Sequence, residues 1–517
     1  MKATRRRAVA TLAAAALATP LLLASASPAT ADRHTPGQRD ASNAAKLAAK
    51  LVKKSSADDA FDHLEKFQQI SDTTGNRAAG TLGYDASAAY VFKELKKYGY
   101  NVSYQPFTFP YIETQAESLA VVSPSPRTVG VVAMDYTKST PVGGITADLA
   151  AVPADATTGC EPADYASGTY TGKIALIKRG GCTFAQKQAT AADAGAIGAL
   201  IYNNIEGSMG GTLGDPAGVK IPTGGIVLAE GEKFAAELVN GPVRVTLDVR
   251  QLQETRTTRN IIAETKHGNA ANTVVLGAHL DSVSEGAGIN DNGSGSAGLL
   301  EVAQELAKAE KRPTNKIRFA WWGAEENGLL GSEAYVASLT SLGKKEIKAY
   351  LNFDMIASPN YGIFLYDGDD SDGVGAGPGP EGSAQIERDM QKFLDGRGTP
   401  HEGTDFSGRS DYGPFIEIGI PAGGTFTGAE VKKTEAQAAK FGGTAGVAYD
   451  PNYHGAGDNL DNVSMKAFGI NIGIIANAVG TYAHDISSLS KPVTPAGPNG
   501  GQSGSGGLRD GHAVVTE

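Results

Sequence analysis

Six residues between Val274 and Ile356 carry nitrogen or oxygen donors at the downstream ends of apolar runs. His279 and Asp281 follow VVLGA, Asp291 lies in GINDNGSG, Glu325 and Glu326 follow RFAWWGA, and Asp354 follows YLNF. An open α/β sheet binds its ligands in the crevice beyond the carboxyl ends of its strands, so donors at successive strand ends meet along one edge. One more donor, His454, arrives much later in Asn452-Tyr453-His454-Gly455.

Imidazole nitrogen with carboxylate oxygen is a zinc donor set, and a hydrolytic site keeps one coordination position open for water. Two ions about 3.5–4 Å apart need one bridging carboxylate, with a His and a second carboxylate on each side. The chain supplies that set: Asp291 as bridge, His279 and Asp354 for one ion, His454 and Glu326 for the other. Neighbouring side chains on extended backbone point to opposite sides. Only one of Glu325 and Glu326 is then expected to face metal, and Glu325 is left as general base toward water. Asp281 is expected on the same side as His279, holding its imidazole N–H. Singly, these residues have plainer readings, such as a helix cap for Asp291 or Asp354. Their recurrence at successive strand ends is what points to a metal centre.

Such donors need a sheet to carry them. Strand-like runs at 316–322, 349–353 and 361–366 alternate with helical patterns at 295–311, near Ser332 and at 385–394. That alternation predicts an α/β fold, a mostly parallel mixed sheet flanked by helices. A last helix is expected over 465–486. Upstream, helical spacing covers 32–56, 60–70 and 85–98, with a turn-rich loop at 75–81 and a strand beginning near Asn101. Between about 116 and 250 the pattern changes to short β-branched runs separated by Gly, Pro, Asp and Thr, with one helix at 184–194. Histidine is absent there, so the stretch reads as an inserted β-rich binding or lid module.

The 517 residues suggest two domains plus tails. A net charge of −10 argues against nucleic acid or an anionic membrane as partner. Arg5-Arg6-Arg7, the apolar stretch 8–26 and Ala29-Thr30-Ala31 read as a signal peptide over 1–31, by general or twin-arginine export, which implies a secreted protein. In an exported chain the two cysteines, Cys160 and Cys182, are expected to form one disulfide. The expected division is 32–115 for the first part of the main domain, 116–252 for the insert, 253–488 for the catalytic part, and 489–517 for a Pro/Gly/Ser-rich disordered tail. The acidic run at 367–372 offers oxygen donors for Ca²⁺, but a solvated turn is the preferred reading.

The runs AHLDSV, GINDNGSG, WWGAEENGLLGS, NFDM and YHGAGD together resemble the M28 family of zinc aminopeptidases, near its secreted bacterial leucine-type members. NRAAGTLGYDAS and GRSDYGPF…GIPAGGTFTGAE also match, and KIALIKRGGCTF with AGAIGALIYNN resembles a protease-associated (PA) domain. The resemblance implies a zinc exopeptidase fold with two Zn²⁺ held by His279, Asp291, Glu326, Asp354 and His454. It further implies Glu325 as general base, Tyr453 as oxyanion donor and Asp281 as orienting carboxylate. Met355 and Phe426 would line an apolar pocket, and Arg409 would lie where backbone receives the substrate's free amine. A monomer acting on peptides or protein N-termini, with large hydrophobic first residues preferred, follows from the same likeness. Two departures stand out. Asn452 and Gly457 occupy positions of paired cysteines in close bacterial relatives, which predicts a looser Tyr453–His454 loop. Asn292 follows the bridging Asp where many relatives have a second Asp. Rival readings are a carboxypeptidase or dipeptidase of the same fold, an aminoacyl cyclase, and a non-enzymatic receptor-like ectodomain that has lost its ligands.

Overall fold

The computed structural model describes residues 35–493. The expected signal segment, and the expected tail from residue 494 on, lie outside them. Three helices come first, Pro36–Lys54, Ala57–Thr74 and Leu82–Lys97. Each begins behind a hydroxyl cap, Thr35, Ser56 or Thr81, whose side chain accepts a backbone N–H of the first turn. Their apolar stripes, including Leu51, Leu64, Phe67, Val91 and Leu95, are fully buried against one face of a large sheet.

The centre of that sheet is the strand Asn269–His279. It pairs in parallel with Asn315–Trp322 on one side and Ile347–Phe353 on the other. Ala422–Phe426 adds a fourth parallel strand, and Phe364–Tyr366 closes beside it antiparallel. Alternate residues of the central strand enter different cores: Val274, Leu276 and Ala278 join the first helices and helix Met465–Tyr482, whereas Val275 packs with Trp322, Tyr350 and Phe415. The sheet is therefore mixed, parallel at its middle and covered on both faces, as the alternating pattern predicts.

On the other flank Asn315–Trp322 pairs antiparallel with Arg244–Glu264, which pairs along most of its length with Asn101–Ser123. These two strands form a ribbon that leaves the central sheet and carries its pairing into a second group of strands. There Ile145–Ala151, Ile174–Lys178, Gly198–Tyr202 and Thr223–Ile226 run parallel, with helix Phe184–Asp193 between the second and third and helix Leu228–Asn240 leading from the last back to Arg244–Glu264. The sequence pattern locates most of these runs but not the parallel order, the strand at 145–151 or the second helix. This part has its own buried clusters, and Cys160 is disulfide-bonded to Cys182 within it.

Candidate metal centre

The chain passes from the central strand to Asn315–Trp322 on one side, and then to Ile347–Phe353 on the other. Strand order thus reverses at Asn269–His279 and opens a crevice at its carboxyl end, where His279 stands. Asp354 directly follows Phe353. Glu325 and Glu326 follow Trp322 in a bend and turn, entered through Ala324 in the left-handed region (φ 56°).

Asp291 departs from the expected placement. It lies not at a strand end but in the short turn Ile289–Ser294 that leads into helix Gly295–Ala309. That helix starts hard against the sheet, because a Cβ at Gly295 would stand 2.1 Å from the Phe353 carbonyl oxygen. Asp291 and Asp354 therefore enter one crevice. His454 reaches it from a loop in which its own φ is 53°.

All five expected metal donors come together. His279 Nε2 stands 3.2 Å from Asp291 Oδ1 and 3.3 Å from Asp354 Oδ1. His454 Nε2 stands 3.2 Å from Asp291 Oδ2 and 3.0 Å from Glu326 Oε2. Asp291 thus turns one oxygen to each half. A tetrahedral shell with zinc–ligand bonds of ~2.0 Å has ligand–ligand edges of ~3.3 Å, which is close to both spacings. Asp354 Oδ1 and Glu326 Oε1 are moreover buried oxygens that accept no hydrogen bond, a state that a cation would relieve. The donor chemistry and these two oxygens fit zinc in both halves.

Glu325 lies outside both donor sets, with Oε2 3.8 Å from His279 Nε2. What separates the Glu pair is the turn rather than the strand pleat that the sequence reading invoked. Both backbone N–H groups of the pair donate to the Asp281 carboxylate, at 3.3 Å each. The nearer partner of His279 Nδ1 is the Asp281 backbone oxygen at 3.2 Å, while the Asp281 carboxylate is 3.8 Å away. Asp281 therefore orients the ring largely through its backbone and orients the Glu turn through its side chain.

Burial drives the electrostatics. It pushes Glu325 well above the usual carboxylate range, with His279 opposing and Asp411 adding to the shift. Glu326 is pushed up to about 7 by burial and by Asp291. Burial would lower His454, but Glu326 and Asp291 overcome it and raise the ring to about 11. His279 is likewise raised, burial notwithstanding, by Glu325 and Asp354. In the metal-free chain both rings are thus protonated and supply the positive charge that the carboxylates need. Metal must displace those protons.

Met355 and Phe426 are adjacent: Thr427, next to Phe426, donates its backbone N–H to the Met355 carbonyl at 3.0 Å. Met355 is buried and Phe426 half-buried. The Arg409 guanidinium donates to Glu430 Oε1 at 3.1 Å and to the Tyr453 hydroxyl at 3.2 Å, and the Tyr453 ring stacks on His454. The acidic run at 367–372 is an exposed turn at Ser371 and Asp372, as its composition suggests, but not at its start. Asp367 is buried, and its carboxylate accepts the backbone N–H groups of Asp369, Ser371 and Asp372. Glu387 accepts from Gly368, and Asp369 pairs with Arg388. The first two carboxylates are thus committed to holding the loop.

Several supporting residues escape the sequence reading. Ser410 donates to Asp354 Oδ2 at 2.6 Å. The Asn292 carbonyl accepts from Gly295 and Met355, and its amide donates to Phe353. The Asp458 carboxylate accepts the N–H groups of Asn290 and Asp291. Fully buried Arg77 sends its guanidinium into the carbonyls of Leu280, Ala287 and Gly288. Ser410 sits in a family-like motif that could have flagged it. Arg77 sits in a loop whose composition signals only a turn.

With the geometry in place, comparison with known proteins is direct. Residues 260–479 match the profile of peptidase family M28, and residues 145–234 match the PA domain. A relative named "Probable lipoprotein aminopeptidase" from Mycobacterium tuberculosis is 45% identical over 462 residues, spanning 88% of this chain and 89% of its own. Leucine aminopeptidase 2 of Arthroderma otae is 44% identical, covering 86% of this chain and 87% of its own. Among solved structures, an aminopeptidase from Aneurinibacillus sp. strain AM-1 superimposes with a TM-score of 0.67 at 29% identity, over 86% of this chain and 98% of its own. A zinc aminopeptidase from Bacillus subtilis gives 0.62 at 28% identity, over 82% of this chain and 95% of its own.

Proposed function

The chain belongs to peptidase family M28 and is a metallo-aminopeptidase; from that premise we propose a secreted two-zinc enzyme that removes large hydrophobic residues from peptide N-termini. The observation that carries the two-metal part is Asp291, whose two oxygens face two separate His–carboxylate pairs. His279 and Asp354 would hold one ion, Glu326 and His454 the other, with Asp291 shared. Zinc so held supplies Lewis acidity and a water acidic enough to react near neutral pH.

The residues around it divide the remaining work. Glu325, buried and outside both donor sets, takes the proton from the attacking water and returns it to the leaving amine. Asp281 fixes the turn that aims Glu325. Tyr453 donates toward the oxyanion, and Arg409 sets the orientation of its phenol. The free amine of the substrate is held near Glu325 and Asp354. Met355 and Phe426 receive its first side chain, which favours Leu, Met or Phe. Residues 116–252 form an insert related to PA domains beside a peptidase domain built from 32–115 and 253–488, and the chain acts as a monomer.

The engagement of Arg409 favours this reading over a carboxypeptidase. Its guanidinium is already bonded to Glu430 and Tyr453 and so is not presented as a carboxylate receptor. The intact donor set argues against a receptor-like relative. Secretion rests on the leader-like residues 1–31, and no helix among the described residues is long and apolar enough to cross a membrane. The test is a peptide panel. Leucyl p-nitroanilide and carboxyl-amidated peptides should be cleaved, and N-acetylated ones should not. Trimming from the carboxyl end would overturn the proposal, and a preference for acidic or small first residues would overturn its pocket.

A further inference from the structure

We propose that Asn452 and Asn462 are positioning residues, forming a hydrogen-bonded clasp that sets the Tyr453–His454 loop against Asp291. The metal part of this proposal rests on the two-zinc reading above; the clasp itself does not.

The loop needs such a device. His454 holds φ 53°, a conformation that residues with a Cβ adopt seldom and keep only when the surroundings impose it. The segment enters at Asp450 and leaves at Asp458, both buried. Asn462, also buried, donates its amide to Asp450 at 2.9 Å and to Asp458 at 3.1 Å, and so ties the two ends together. Its carbonyl accepts the Asn452 amide at 2.8 Å. Asn452 in turn donates its backbone N–H to Asp450 at 2.9 Å, and its backbone oxygen accepts from Gly455.

The far side of the clasp is the metal centre. Asp450 accepts the Asn290 side chain at 2.6 Å, and Asp458 accepts the backbone N–H groups of Asn290 and Asp291 at 2.7 and 3.0 Å. An unbroken set of hydrogen bonds thus runs from Asn452 to Asp291, the residue that His454 must meet. The same network makes no bond to His279 or Asp354. Its loss should loosen the Glu326–His454 half and spare the other. The expectation of a loose loop is replaced by a loop laced with amides.

Gly457 completes the geometry. A Cβ there would lie 3.2 Å from the Asn452 Cβ and 2.2 Å from its Oδ1, so the Asn side chain lies across the glycine. Disulfides need Cβ atoms about 3.5–4.5 Å apart, which a small shift provides. A covalent link between 452 and 457 should therefore do what the clasp does.

The experiment compares wild type, Asn452→Ala, Asn462→Leu, Asn452→Cys and Asn452→Cys/Gly457→Cys. Hydrogen exchange of residues 450–458 is followed in metal-free protein, and zinc binding by competition with a chromophoric chelator. Either amide-deleting variant should speed exchange in that segment at least tenfold and weaken one of the two zincs about 10–100-fold. The other should move less than threefold. Oxidised double-cysteine protein should recover both properties relative to Asn452→Cys, and a phosphine reductant should reverse the recovery, with reduced wild type as the control for Cys160–Cys182. Unchanged exchange in the Ala and Leu variants would overturn the clasp, as would equal weakening of both zincs. If wild type itself binds one zinc, the two-metal reading fails, and the exchange rates alone still decide the clasp.

Discussion

Arg77→Met tests whether a buried cation props up the acidic centre. The Arg77 side chain is fully buried. It donates to the Ala287 and Gly288 carbonyls at 2.8 and 2.6 Å and also to that of Leu280. These carbonyls lie just before Asp281 and shortly before Asp291, and the guanidinium is within electrostatic reach of Asp281, Asp458, Asp291 and Glu326. Each buried carbonyl left without a donor costs ~1–3 kcal/mol, so three would cost ~3–9. Water entering the vacated space restores some of those bonds. A loss of about 3–5 kcal/mol is therefore expected, in the range found when one partner of a buried ion pair is removed. The assay is urea unfolding of metal-free protein, followed by fluorescence of the buried Trp321 and Trp322. Arg77→Lys keeps the charge but lacks the planar fork, and it should recover less than half of the loss. A change under about 1 kcal/mol, or Lys performing as well as Arg, would refute the reasoning.

Three further expectations follow from the same geometry. Glu325→Gln should lower kcat about 10²–10⁴-fold with zinc content unchanged, because it removes the proton acceptor and none of the five donors; a loss under tenfold would remove Glu325 from that role. Zinc binding should release protons and weaken as pH falls, since His279 and His454 are protonated in the metal-free chain; calorimetry in buffers of different ionisation enthalpy reads this, and a buffer-independent heat would contradict it. His63 is buried between Tyr90 and Gln304, and burial lowers its pKa from 6.5 to about 4. The unfolded chain then takes up this proton first as pH falls. Stability should therefore decline between about pH 6.5 and pH 4, by roughly 3 kcal/mol in all, and His63→Gln should flatten that part of the profile in urea titrations.

The donors were readable because their chemistry is local and their spacing follows strand ends. His279 and Asp354 needed only the apolar runs before them, and Glu325-Glu326 needed only an end to Asn315–Trp322. Asp291 stands among the other donors but not at a strand end, since a turn before a helix has no periodic signal. Arg77, Ser410 and Asp458 were missed for a shared reason. Their roles consist of hydrogen bonds to residues far away in the chain, and a lone Arg, Ser or Asp in a loop looks the same whether buried or solvated. The insert shows a similar limit. Short β-branched runs reveal strands, whereas parallel order depends on crossovers, and only the one through helix Phe184–Asp193 leaves a helical pattern; the others run through loops and short turns.

The most direct test of the two-metal centre is anomalous diffraction at the zinc edge from crystals of the zinc-loaded protein. Two peaks are expected about 3.5–4 Å apart, one between His279 and Asp354, the other between Glu326 and His454, both within bonding reach of Asp291. A single peak, or a pair not shared by Asp291, would contradict it.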